Sequence, residues 1–501
     1  MRTAWFEVLS PQEIDRIHAA SMQILAEVGV KVDYGRAREL FGQAGAQVDA
    51  DAQAVRIPER LVQWALEQAP DSFTLYGNDP DFQVQVGGER VSFAALGTPT
   101  HILDFETGQR REVTLADVHR HLQIINGLEH IHNSQMDIWP GDIPMTTIHA
   151  EAILSWTRHS RKSFGMGCYG FLPTLDMMRM MAIAAGGKEE LRARPRFFAI
   201  CSVSSPLQMI QMQVEGMLIC AEYGQPLAMS PEAIAGSTAP ATLAGLLAQQ
   251  NANILAHVTL AQIARPSTPV LYGTVSTITN MRLGTVALGA VETGLITAAS
   301  AQLARHYGLP SRSVGAVTES KLEDLQAGLE RAVTLMPAVL SGVNFITCGG
   351  TLDSTMLESP LLLALDDELC GMLLRAREGI AVDDETLALD LIRQINFSGH
   401  YLAEKHTLRH FRKEHYIPRL LVREGYETWE KEGRRTALDR ARERVREILD
   451  AHQPRELDPA VEQGLLEYLE MTRGRGMEDF LAYEDEAKQD FSGLTAGDGR
   501  P

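Results

Sequence analysis

Cys168-Tyr169, Ser204-Ser205, Glu232, Tyr272 with Thr274, Val317 with Glu319, and Cys348 to Gly350 each stand at or just behind the end of a short apolar run, as do Gln135 and Asp137. The set is neutral to acidic, with hydroxyl, sulfur and aromatic groups and little basic charge. That chemistry suits a cationic substrate, held by ring faces and a carboxylate. The competing reading for each residue taken singly is packing, because Tyr, Cys and Ser also fill the upper layer of a closed sheet. A metal centre is harder to build. His130-Ile131-His132 supplies a His-x-His pair, but it opens its run instead of closing it and so faces the wrong end. His400, His406, His410 and His415 lie at varied spacing in a charged stretch, where solvated or capping roles prevail. The chain has no Cys-x-x-Cys, His-Glu-x-x-His or Gly-x-Ser-x-Gly, so the metalloprotease and serine-hydrolase signatures are missing.

The elements that must position these groups follow from the apolar pattern. Eight short runs rich in small residues occur at Val91–Gly97, Ile131–Trp139, Ser163–Gly170, Phe197–Ser205, Pro226–Pro231, Pro269–Ser276, Ser311–Val317 and Asn344–Gly350. Each precedes a stretch of helical periodicity, such as Thr242 to Ile263 or Val286 to Tyr307. Strands alternating with helices eight times predict a closed (β/α)₈ barrel of the TIM type, whose reacting groups come from the carboxyl ends of the strands. An open doubly wound sheet is the alternative. It lacks its phosphate loop here, since Gly165-x-Gly167-x-x-Gly170 lies within and at the end of a strand and does not open a helix. Before the barrel, residues 1–90 read as an α+β segment, with a helix from Ser10 to Val30 capped by Ser10 and Pro11. Residues 91–380 form the barrel and 381–501 a helical region. Its charged face spans His406 to Asp450, and its small, polar tail from Ser492 to Pro501 is expected to fray.

Composition narrows the function classes. A chain of 501 residues, 45% hydrophobic and 22% charged, is neither disordered nor fibrous. A formal charge of −19 repels a phosphate backbone, which argues against nucleic acid. Five scattered cysteines do not form a disulfide framework and fit a reducing, cytoplasmic setting. The N-terminus lacks an apolar signal core and no stretch is apolar enough to span a membrane. Barrels of this size often associate through their outer helices, so a homo-oligomer is expected.

One stretch carries more information than the rest: Gly308 to Gly328, which contains Val317-Thr318-Glu319-Ser320-Lys321. Taken with Ile24-Leu25-Ala26-Glu27-Val28-Gly29-Val30, Gly236-Ser237-Thr238-Ala239-Pro240, His406-Thr407 and Trp429, it resembles the trimethylamine methyltransferase family over nearly the whole chain. The resemblance implies a (β/α)₈ enzyme that moves a methyl group from an amine to the cobalt of a corrinoid (cobalamin-type) carried by a separate small protein. In archaeal trimethylamine enzymes of the family, pyrrolysine stands just before such a stretch. Here an ordinary residue, at or beside Val317, takes that place next to Glu319. The resemblance then implies a quaternary amine as substrate, because its nitrogen already carries the charge that a tertiary amine lacks.

Glycine betaine is the default within that class, beside proline betaine and carnitine-type compounds. Tyr169, Tyr272, Phe345 and Glu232 are the candidates to hold the ammonium, and Arg312 or the amides of Gly349 and Gly350 to hold a carboxylate. The chain shows no corrinoid-binding signature of its own: Asp117-Val118-His119-Arg120-His121-Leu122 lacks the required glycine. Two further readings stay open, a noncatalytic betaine-binding protein on the same barrel and a metal-dependent hydrolase.

Overall fold

The computed structural model describes residues 5–95, 97, 99–135, 138–397 and 399–490. Eight parallel strands close on themselves: β1 Ser92–Ala94, β2 Ile131–Gln135, β3 Ser163–Gly167, β4 Phe197–Val203, β5 Leu227–Pro231, β6 Val270–Gly273, β7 Ser311–Gly315 and β8 Phe345–Cys348. Each lies within one of the eight apolar runs. The ring shuts where β8 pairs with β1 through Phe345↔Ser92, Ile346↔Phe93 and Thr347↔Ala94. Eight helices cover the outside: α1 Leu115–Gly127, α2 Ile148–His159, α3 Phe171–Ala185, α4 Gln211–Glu222, α5 Leu243–Ala264, α6 Val291–His306, α7 Leu325–Leu340 and α8 Pro360–Glu378. Because sheet and helices bury both faces of every strand, the strands read as continuous apolar runs and do not alternate; every residue of β5 is buried.

One boundary differs from the sequence expectation. The helical pattern read from Val286 begins only at Val291, because Thr285–Ala287 is the return strand of a hairpin that starts at Thr277–Asn280. Its β-branched residues serve the strand, and Gly289-Ala290 separates it from the helix. The predicted cap at Ser10 forms: its Oγ accepts from the Glu13 N–H, and the Glu13 carboxylate accepts from the Ser10 N–H at 2.8 Å.

The two ends of the barrel are treated differently. At the amino end the hairpin Ser72–Tyr76/Gln83–Gly87 packs Leu75, Val84 and Val86 against Phe198, Ala228, Leu271 and Phe345. This apolar plug shuts that end, so the carboxyl end is left as the mouth. Two hairpins rise beside it: the one after β6 just described, and Thr351–Leu352/Leu357–Glu358 after β8, which pairs with a hairpin following β1. The helices Pro11–Gln23, Gly35–Gln43 and Glu59–Gln68 of the N-terminal segment pack over α5, which is buried nearly all round. On the far side the C-terminal helix Pro459–Arg473 is tied down through Asp176 of α3. That carboxylate accepts from Tyr468 at 2.7 Å, from Arg475 at 2.6 Å and contacts His149 at 2.9 Å. None of the described helices is long and apolar enough to cross a membrane. The tail from Ser492 onward lies outside the described residues.

Candidate functional site

A cavity of about 580 Å³ opens at the mouth, lined by Tyr169, Glu232, Arg312, Trp139 and the hairpin tip Asp353 to Met356, among others. Three of the expected residues therefore meet in one space. Tyr169 follows β3 and folds back over Gly167, where a Cβ would sit inside its ring. Its hydroxyl lies 2.6 Å from Ser202 Oγ of β4, and burial raises it above the usual phenol range. Arg312 enters the strand near the start of β7, but its long side chain climbs to the upper layer. There Nη2 donates to Thr347 Oγ1 at 2.6 Å and Nη1 approaches Thr274 O at 3.5 Å. Only 2% exposed, with Nε unsatisfied, it has no carboxylate partner among the described residues. Burial pulls it down to about 10, against the upward effect of nearby Tyr169. A guanidinium in this state is costly unless an anion joins it.

Glu232 projects from the end of β5. It shows over a third of its surface to the open cavity, yet the surrounding wall desolvates it and raises its carboxyl above the ordinary glutamate value. Deeper in the barrel, within the apolar plug, Phe198 and Phe345 stack at 4.1 Å.

Other expected residues are placed elsewhere, and their roles are corrected. Tyr272 points outward from β6, where its hydroxyl donates to Asn251 of α5 at 3.0 Å, so it does not reach the cavity. Phe345 faces inward but one layer too deep, in the apolar plug. The Gly350 N–H is committed to Asp366 at 2.8 Å, and neither Gly349 nor Gly350 lines the cavity. Val317 is fully buried among Leu288, Val314, Val275 and Val286, behind the cavity wall. Glu319 is engaged by the Gly289 N–H at 2.8 Å and the Ser354 hydroxyl at 2.7 Å. It joins the two hairpins of the mouth, each of its oxygens already accepting from one of them.

Asp137 and the Gln135 side chain lie outside the described residues. Ser204 bonds Gln213 and Thr274 bonds Gln250, both away from the cavity. Cys168 and Cys348 are buried beside Cys201 and Cys370 at 3.5 and 3.7 Å. His130 and His132 sit at the amino end of β2, where Asp367 accepts from the His130 N–H at 2.6 Å. Among the described residues no group of three or more His, Cys, Asp or Glu is arranged to hold a metal. The sequence reading missed Trp139 and the tip Asp353 to Met356. Trp139 ends a run already identified as a strand; the tip carries no Gly, Pro or Asn to mark a turn.

The sequence matches the model of the family described as "Trimethylamine methyltransferase (MTTB)" over residues 1–477. The chain belongs to that family. Within the trimethylamine methyltransferase family, it is 35% identical over 467 residues to a glycine betaine methyltransferase of Desulfitobacterium hafniense (strain Y51), covering 93% of this chain and 96% of that one. It is 32% identical to a trimethylamine methyltransferase MttB of Desulfitobacterium hafniense (strain DSM 10664 / DCB-2), covering 92% of this chain and 93% of the other. Among solved structures it is similar to the Methanosarcina barkeri monomethylamine methyltransferase, at 12% identity and a TM-score of 0.48 over 87% of this chain and 92% of that one. The chain is thus a methyltransferase, and its cavity is the candidate active site of that family member.

The environment of Glu232 makes one prediction. Its ionised form is the one that attracts a cation, and burial raises its pKa, so kcat/KM for a cationic amine falls as pH drops through a midpoint above the ordinary glutamate value. Glu232→Gln flattens that acid limb and sets neutral-pH kcat/KM roughly 10- to 100-fold lower, about 1.5–3 kcal/mol for a close charge pair. A pH–rate profile of both proteins checks it. Linkage gives the matching sign for stability: the protonated carboxyl's contribution is present below the ordinary value and lost as pH rises through the raised one.

Proposed function

We propose that this methyltransferase takes a methyl group from a quaternary ammonium zwitterion, with glycine betaine as the default substrate, and delivers it to a corrinoid presented by a partner protein. The observation that carries the substrate class is Arg312, a buried guanidinium that lines the cavity with no carboxylate partner among the described residues. A substrate carboxylate completes it. Tyr169 then offers a ring face and Glu232 a negative charge to the ammonium above. The opening of the cavity on the carboxyl face fits an acceptor that arrives from outside. When bound, a corrinoid supplies Co(I), a nucleophile strong enough to displace an amine from carbon. The chain's own residues align and desolvate the substrate, with Trp139, Leu288 and Met356 forming apolar wall. The C–N bonding pair leaves on a neutral tertiary amine, so no side chain has to give or take a proton.

Five buried thiols without a disulfide support a reducing, cytoplasmic setting. Apolar side chains left open after α8, with Phe397 wholly exposed and Ile380 and Leu402 at 78% and 79%, support a homo-oligomer. The net charge of −19 speaks against nucleic acid.

The test mixes the protein with chemically reduced cobalamin and a panel of quaternary and tertiary amines, following the visible spectrum for methylated cobalamin. Methylation from a betaine with release of its tertiary amine is the expected result. Transfer from trimethylamine alone, or betaine binding without transfer, overturns the reading.

A further inference from the structure

The tip of the hairpin after β8 has an unusual backbone. Asp353, Ser354 and Thr355 follow one another with φ of 52°, 51° and 69°, the left-handed region that L-residues enter at a cost, greatest for a β-branched residue such as Thr355. No glycine or asparagine relieves it. The neighbouring loop after β7 holds the tip in place. Asp353 N–H donates to Ser320 O at 2.8 Å, Ser354 N–H to Thr318 O at 2.9 Å, and Lys321 pairs with Asp353 at 2.9 Å. The Ser354 hydroxyl donates to Glu319 at 2.7 Å, whose second oxygen accepts from the Gly289 N–H beside the other hairpin. All three tip residues line the cavity, and the Thr355 hydroxyl has no partner among the described residues. In the barrel order β8 stands across from β4, so the tip faces the side that carries Ser202 and Tyr169.

A strained turn that is over-determined by its surroundings, and whose side chains face a reactive cavity, points to a role in that cavity. We propose that the left-handed turn Asp353–Thr355 is a positioning and specificity element of the methyl-transfer site. Resting on the reading of a quaternary ammonium substrate, its oxygens face the N-methyl groups, whose C–H bonds carry part of the positive charge. They press the head against Tyr169, so that one methyl points to the mouth. Glycine at this position would relax the chain but remove the side chain that Thr355 presents to the cavity. Glu319 acts through the turn and is a positioning residue.

The test compares Thr355→Gly and Thr355→Ser with Ser267→Gly. Ser267 also has a positive φ, 64°, but lies in the loop before β6, away from the mouth. With glycine betaine and reduced cobalamin, Thr355→Gly keeps its Tm at or above the parent's while kcat falls at least tenfold. Betaine Kd by calorimetry moves less than threefold, because Arg312 still holds the carboxylate. Thr355→Ser, which keeps the hydroxyl, recovers most of kcat, and Ser267→Gly changes neither Tm downward nor rate. A Thr355→Gly enzyme within twofold of the parent's kcat overturns the proposal, as does a rate loss matched by a fall in Tm. If the parent instead demethylates a different amine, the betaine reading fails, and the same comparison with that amine still tests the turn.

Discussion

Replacing Arg312 with methionine lowers kcat/KM for glycine betaine by roughly two to four orders of magnitude, the ~3–5 kcal/mol that follows when one partner of a buried charge pair is removed. Binding of tetramethylammonium, which has no carboxylate, changes far less. The asymmetry follows from the site: among the described residues Arg312 reaches a hydroxyl and a carbonyl and no carboxylate, so its charge is unmatched there until an anion enters. The same imbalance predicts a gain in the substrate-free protein. Methionine matches the length of the arginine stem without a charge to desolvate, so the Arg312→Met protein unfolds at a higher temperature than its parent. Arg312→Lys retains the charge but loses the planar fork, and falls between the two in kcat/KM. Calorimetric Kd values for the two ligands, with thermal scans of the free proteins, check each point. A loss of less than tenfold for glycine betaine, or an equal loss for tetramethylammonium, sinks the assignment of Arg312 to the carboxylate.

What was legible in the sequence was the ring, and what was not was depth and direction within it. All eight apolar runs became barrel strands because a strand buried on both faces must be apolar throughout, and small residues let the helices approach. That same continuity hides which residues face inward. Leu271 and Tyr272 are neighbours on β6, yet Leu271 joins the inner plug while Tyr272 bonds Asn251 on the outside. A strand of unbroken hydrophobicity has no polar phase from which to read that difference. Phe345 faces inward as the ammonium site requires, but three residues from the end of β8 is already the apolar plug. Arg312 shows the opposite case: its backbone is low, and only a long side chain brings its charge to the upper layer. Tyr169 and Glu232 are found because each lies within two residues of a strand's end on the mouth side, where position alone decides. The tip Asp353–Thr355 was invisible because its backbone conformation is imposed by tertiary bonds to Thr318, Glu319 and Ser320 and contradicts local preference.

Those tertiary bonds have a foundation deeper in the fold, and cutting it gives the second large effect. Arg331 of α7 and Asp366 of α8 form a bidentate pair, each 2% exposed, with Nε to Oδ1 at 2.9 Å. The pair also holds the start of the strained hairpin: Asp366 accepts from the Gly350 N–H at 2.8 Å, and Arg331 donates to Thr351 O at 2.5 Å. Asp366→Ala leaves a buried guanidinium unmatched and frees the Gly350 amide, so it destabilises the protein by about 3–5 kcal/mol. A buried pair replaced as a whole by apolar residues of similar volume is often tolerated. The double variant Arg331→Met/Asp366→Leu therefore recovers most of the lost Tm. It does not recover the rate, because neither new side chain can bond Gly350 or Thr351, and the turn that faces Tyr169 loses its anchor. Thermal unfolding and kcat measured on parent, single and double variants separate the two roles. Should rate return together with Tm in the double variant, the pair serves the core alone and the hairpin holds its geometry without it.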